Sequence, residues 1–158
     1  MADGPIETAY QALATLLRGT LVGTGFLSAP ELLEIDPESP FAPDGDETSL
    51  VTAAALVKVQ TGPVRTMLGG GSPRYVVERR AMLDLAVAGP ARAERLALDA
   101  ATLNALAVLA ETDPRLGGTC ERFTLVEQTD DELPPNGVTV AITWALRVRS
   151  SDPLGRTS

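Results

Sequence analysis

The sequence contains no histidine. Ser-His-Asp and Cys-His catalysis, imidazole-bound metals and the usual general base near neutral pH are therefore excluded. Cys120 is the single cysteine, so neither an internal disulfide nor a cysteine-rich zinc site can form. It precedes an apolar strand pattern and reads as a small buried thiol. A reactive thiolate would need a cationic pocket, and only Arg115 and Arg122 are close in sequence. Acid pairs occur at Asp44/Asp46 and Asp130/Asp131. A glycosidase-like or Mg²⁺ site needs carboxylates on rigid elements around a pocket, whereas these pairs lie on Pro- and Gly-rich loops. Gly69-Gly70-Gly71-Ser72-Pro73 lacks the Gly-Lys-Ser/Thr of a phosphate loop. Among the basic residues, Arg79-Arg80 form a doublet, and Arg80 with Glu78, Arg147 and Arg149 is expected on a moderately polar second face of the sheet. Such arginines either pair with acids or form a solvated strand face. No catalytic residue, cofactor-binding residue or metal ligand is assigned, no cofactor is expected, and neither is enzymatic activity.

At 158 residues and 16.5 kDa the chain is one domain, or one domain with an arm. Apolar residues make up 44%, enough for a core without staples. The net charge is −8, from 21 acidic and 13 basic residues. That balance argues against a surface built to grip nucleic acid phosphates. The longest apolar run falls short of a membrane span, and Met1-Ala2-Asp3-Gly4-Pro5 has no leader character. A soluble intracellular domain is expected.

The elements that must position the charged residues follow from periodicity. Ile6, Ala9/Tyr10, Leu13 and Leu16/Leu17 share one face, which predicts a helix from Pro5 to Arg18 ended by Gly19, Gly23 and Gly25. From Ser28 to Ser49 four prolines and seven acids, with no base, predict a long acidic arm or loop. It is either floppy or ordered by a partner. Leu50 to Gln60 alternates, with Val51, Ala53, Ala55, Val57 and Val59 on one side, and reads as a strand. Arg74 to Ala88 is a long strand pattern in which Arg79 falls on the apolar side. That predicts a bulge, or an inward arginine paired with a carboxylate. Ala91 to Glu111 predicts a helix whose stripe of Leu96, Ala100, Leu103, Leu106/Ala107 and Ala110 faces a sheet, with an Arg95–Asp99 pair off it. Glu121 to Glu127 and Val138 to Arg149 complete the strands, joined through Asn136-Gly137. Trp144 lies on the apolar parity of the last strand and reads as core. Ser150 to Ser158 reads as a flexible tail. The fold class is α+β: an antiparallel four-stranded sheet with two helices packed on one face, plus the Pro-rich acidic arm. The domain spans residues 1–149.

The second half resembles a known family. The residues that suggest it are Tyr75-Val76-Val77-Glu78-Arg79-Arg80, the Ala/Leu helix, and Asp113-Pro114-Arg115-Leu116-Gly117-Gly118. Phe123-Thr124-Leu125 follows, and then Ala145-Leu146-Arg147-Val148-Arg149 before Ser150-Ser151-Asp152-Pro153. In this order they are similar to the tail terminator (tail completion, minor tail protein U-like) proteins of long-tailed phages and gene transfer agents. The resemblance covers roughly half the chain, and the first half departs from it. It implies a structural virion protein: a homo-oligomeric ring, expected to be a hexamer, located in the tail or neck after assembly in the bacterial cytoplasm. Such a ring caps the tail tube, stops its polymerisation and joins a head-side connector. Its partners would be the tail tube protein and the connector or stopper protein. DNA would pass an acidic lumen without specific binding, and no membrane is involved.

Within that reading, Glu31, Glu34, Asp36 and Glu38 of the arm are expected to reach Arg79, Arg80, Arg147 and Arg149 of a neighbouring copy. The alternatives are a head–tail stopper of the same particle, or a small α+β ligand-binding domain with an enclosed pocket.

Overall fold

The computed structural model describes residues 4–37, 48–59, 64–67, 74–133 and 136–150. Helix α1 (Pro5–Gly23) opens on Pro5, whose fixed φ suits a first turn. Leu13, Leu17 and Leu21 line its buried face. The helix runs through Gly19, one turn beyond the predicted end, because Leu21 has a place in the core. A 3₁₀ turn (Pro30–Leu32) then leads into β1 (Leu33–Ile35). It is followed by β2 (Val51–Val59), β3 (Val64–Met67), β4 (Arg74–Ala88), α2 (Arg92–Ala107), the single turn α3 (Leu109–Thr112), β5 (Arg122–Leu133) and β6 (Gly137–Ser150).

The class is α+β, but the sheet is mixed rather than purely antiparallel. Its order is β1-β2-β4-β6-β5. β6 occupies one edge of β4 over its whole length, so β3, which pairs with residues 74–77 of β4, continues the lane of β2. The expected antiparallel strands are β2, β4, β5 and β6. The additions are β3 and β1, and β1 pairs parallel to β2. β1 lies inside the segment read as an arm, and its Leu33 is buried. Three residues are too few for a period of two to register in sequence. The arm is therefore attached at its start. Residues 38–47, Glu38 among them, lie outside the described residues.

Register divides the sheet into two faces. Val77, Ala81, Leu83 and Leu85 of β4 lie beside Val148, Trp144, Ile142 and Val140 of β6, and all are buried against α1. Trp144 is fully buried, its ring centroid 6.1 Å from that of Phe123. In β2 it is Ala54 and Leu56 that face this core, so the Val51–Val59 set lies on the opposite face. The turn before α2 needs glycine: a Cβ on Gly89 would stand 3.0 Å from the Leu50 Cα.

Four local expectations are corrected. α2 stops at Val108 and keeps only the later part of its predicted stripe inward: Leu96 is 49% exposed and Ala100 is exposed, while Leu106 is buried, Leu103 and Ala110 pack against the core, and Thr102, outside the stripe, is buried. Leu98, Thr102 and Leu106 form the inner i, i+4 series, and the Thr102 hydroxyl lies 3.4 Å from that of Thr24, which caps the end of α1. The Arg95–Asp99 pair does not form; Arg95 Nη1 donates to the Gly89 carbonyl instead. β4 passes Arg79 without a register shift, and the irregularity falls in β5 between Leu125 and Glu127. Ser150, read as tail, closes β6 opposite Tyr75 and is buried. No helix among the described residues is long and apolar enough to cross a membrane.

This division of the α2 stripe makes a direct prediction. Leu106→Ala should cost about 2–5 kcal/mol in urea unfolding, the usual loss for a buried leucine. Leu96→Ala should cost under about 1 kcal/mol. Equal losses would restore the predicted stripe.

Candidate functional site

The charged residues gather at one end of the sheet face opposite the helices. Arg80 and Glu78 of β4, Arg147 of β6 and Arg122 of β5 share this face because they alternate with the core residues of their strands. Glu78, Arg147 and Arg122 stand in one cross-strand row. Arg147 Nη2 lies 3.4 Å from Glu78 Oε1. On its other side Arg147 meets another arginine, Arg122, instead of an acid. Glu78, Arg122, Thr124, Ala145 and Arg147 line a shallow depression there. Beside it, Arg149 Nη2 donates to Glu121 Oε1 at 3.0 Å. That hydrogen bond holds the Glu121 carboxyl below its ordinary range.

The candidate residues divide into separate groups. Arg80, Arg147 and Arg149 share the open face by parity, but only Arg147 lines the depression, and Arg80 also borders, with Arg79, a hollow beside Tyr10. Arg79 points to the helix face, where its Nη1 donates to the Glu78 carbonyl at 3.1 Å and it lines that hollow with Ile6, Tyr10 and Leu146. Glu31 and Glu34 are exposed near β1, at the opposite edge of the sheet from β5. Asp36 works inside its own chain. Its Oδ1 accepts from the Lys58 amide at 3.0 Å and lies 3.2 Å from the Tyr10 hydroxyl. The same hydroxyl is 3.1 Å from the Leu56 carbonyl, and burial, reinforced by Asp36, pushes the Tyr10 phenol well up. Lys58 completes this latch, 2.8 Å from Glu7 and 4.7 Å from the Tyr10 ring centre. Asp36 thus ties β1 to α1 and β2.

Sequence reasoning placed Glu78 on the polar face with Arg80, whose parity it shares, but missed Glu121 and Arg122 as members of the cluster. Glu121 and Arg122 required the β5–β6 register.

Asp84 stands further along the same face, between Ala55 and Ala141 in its cross-strand row. Burial pushes its carboxyl above the ordinary range. Cys120 is buried as expected, and burial raises its thiol to about 11, so it is not a reactive thiolate. Among the described residues, no group of three or more Cys, Asp and Glu side chains could hold a metal ion. The motif Asp113–Gly118 forms a tight turn: Asp113 Oδ1 accepts from the Gly117 amide at 2.9 Å, Leu116 is buried at φ +50°, and the Pro114 carbonyl accepts from Phe123 at 2.7 Å. It launches β5 in the register that places Arg122 opposite Arg147. No protein-family model matches the chain, and no curated protein does either.

Glu121 and Asp84 predict opposite pH effects. Glu121 has a lowered folded pKa, so its contribution is present above the usual carboxyl range and is lost as pH falls through the folded value. Glu121→Gln should cost under about 1 kcal/mol at pH 7 and nothing near pH 2, the pair being partly exposed. Asp84 has a raised folded pKa, so its charge destabilises the fold above that value and the penalty vanishes below the unfolded value of about 3.9. Asp84→Asn should therefore raise stability at pH 7 and leave it unchanged near pH 2. Urea titrations at both pH values check the signs.

Proposed function

We propose that this chain is a tail terminator of a phage-type particle: copies join side by side in a ring of six that ends the tail tube and meets the head-side connector. The product is a geometry, not a chemical reaction. The observation that carries the reading is a sheet with both helices on one face, leaving a charged opposite face and an outer strand, β5, with no partner on its far side among the described residues. Unlike surfaces of this kind suit heterologous contacts that close into a ring. The resemblance supports the same reading. Its motifs occupy one continuous unit from β4 through α2 and the Asp113–Gly118 turn to β6. The shallow charged depression is unlike the enclosed apolar pocket that a small-molecule binder needs.

Native mass spectrometry of the purified protein, alone and with tail tubes, should reveal a particle of six subunits. Particles assembled without the protein should carry tails of uncontrolled length. Tails of normal length made in its absence would overturn the proposal.

A further inference from the structure

The charges of this chain are segregated along the strands. At one end of the open face stand Arg80, Arg122 and Arg147, and of the three only Arg147 has a carboxylate partner, Glu78. Arg80 and Arg122 are exposed, and neither has an acid within ion-pair distance among the described residues. Arg122 directly opposite Arg147 is a like-charge cross-strand pair, an arrangement that weakens a sheet. At the far end of β5 the sign reverses. Glu127, Asp130, Asp131 and Glu132 are all exposed, and no cation pairs with them among the described residues. Burial, reinforced by the charge of Asp130, pushes the carboxyl of Asp99 on α2 up.

The two ends cannot satisfy each other within one copy. At about 3.3 Å per residue Asp131 and Glu132 lie about 30 Å from Arg122 along β5. We infer that the arginine end of the open face docks on the acidic end of β5 in a second copy of this chain. The inference rests on the ring reading and names the surfaces that make the ring. Charge complementarity selects the partner: a chain of net charge −8 repels itself at long range, so copies must meet where local charges are opposite. The patches are different and sit at opposite ends of the strands, so the contact is head to tail and each copy offers one of each. The same acids, with the irregularity beside Val126, discourage an uncharged strand from pairing with this edge. The contact replaces the arm residues Glu31 and Glu34 with β5 acids as the partners of the arginines.

Charge reversal in two full-length variants tests the contact. One carries Arg80→Glu and Arg122→Glu; the other carries Asp131→Arg and Glu132→Arg. Native mass spectrometry and light scattering should show each variant alone as a single subunit, at concentrations where the unaltered protein forms rings. Mixed one to one, they should recover the ring mass, because every reversed patch then meets an opposite one. That recovery also shows that both variants fold. Raising salt from about 0.05 to 0.5 M should dissociate the unaltered ring, since exposed charges are screened more strongly. Rings that persist in both variants overturn this contact and leave the ring reading standing. Variants that stay monomeric when mixed also overturn it. An unaltered protein that remains a single subunit at every concentration overturns it too, while tail length in particles lacking the protein tests the terminator reading separately. Salt-sensitive binding of duplex DNA that is lost only in the arginine variant, with no change in mass, would assign the row to phosphate instead.

Discussion

The antiparallel ladder between β4 and β6 is the constraint on which the rest depends. It runs without interruption from Tyr75–Ser150 to Ala88–Gly137. Side chains in a strand alternate, so one register decides both faces at once. Placing Val77, Ala81 and Leu83 beside Val148, Trp144 and Ile142 creates the surface that α1 covers. The same register necessarily puts Glu78 beside Arg147, Arg80 beside Ala145, and Asp84 beside Ala141 on the other side. A slip by one residue would bury the charges and expose the core. The charged row is thus held in place by the burial of its neighbours, not by its own weak ion pairs.

That arrangement also accounts for the chain's local compromises. Arg122 opposite Arg147 and the half-buried Asp84 are both unfavourable within one copy. Natural folds tend to keep such features at surfaces that serve something other than stability. The Tyr10–Asp36–Lys58 latch is the contrary case. Its polar groups are matched across three elements, and it fastens the short parallel strand that would otherwise have little to hold it.

Much of this architecture was legible from residue order. The apolar parities of β4 and β6 were plain because both strands are long and strictly alternating. Asn136-Gly137 marked the hairpin, and Asp113 with Gly117 and Gly118 marked a turn. The buried roles of Trp144 and Cys120 followed from their strand context. The errors fell where local pattern is ambiguous. α2 is rich in alanine all round, so its apolar stripe could not be oriented by composition; the Leu98–Thr102–Leu106 side won because it packs beside Thr24 and the core. In β2, alanine occupies both parities and the valines lie on the side opposite Leu56, so only pairing with β4 shows that Leu56 is the core residue.

Sequence by itself determined the absence of histidine chemistry, the α+β class, the two dominant strands and the acidic balance, because each is written in residue type or in a period a few residues long. Tertiary structure alone decided that Asp36 belongs to the fold, that β1 joins the sheet in parallel, and that Arg122 meets Arg147 while the β5 acids stand apart. Those pairings join residues far apart along the chain. Their register comes from the summed burial of the whole sheet, a quantity that no local window contains.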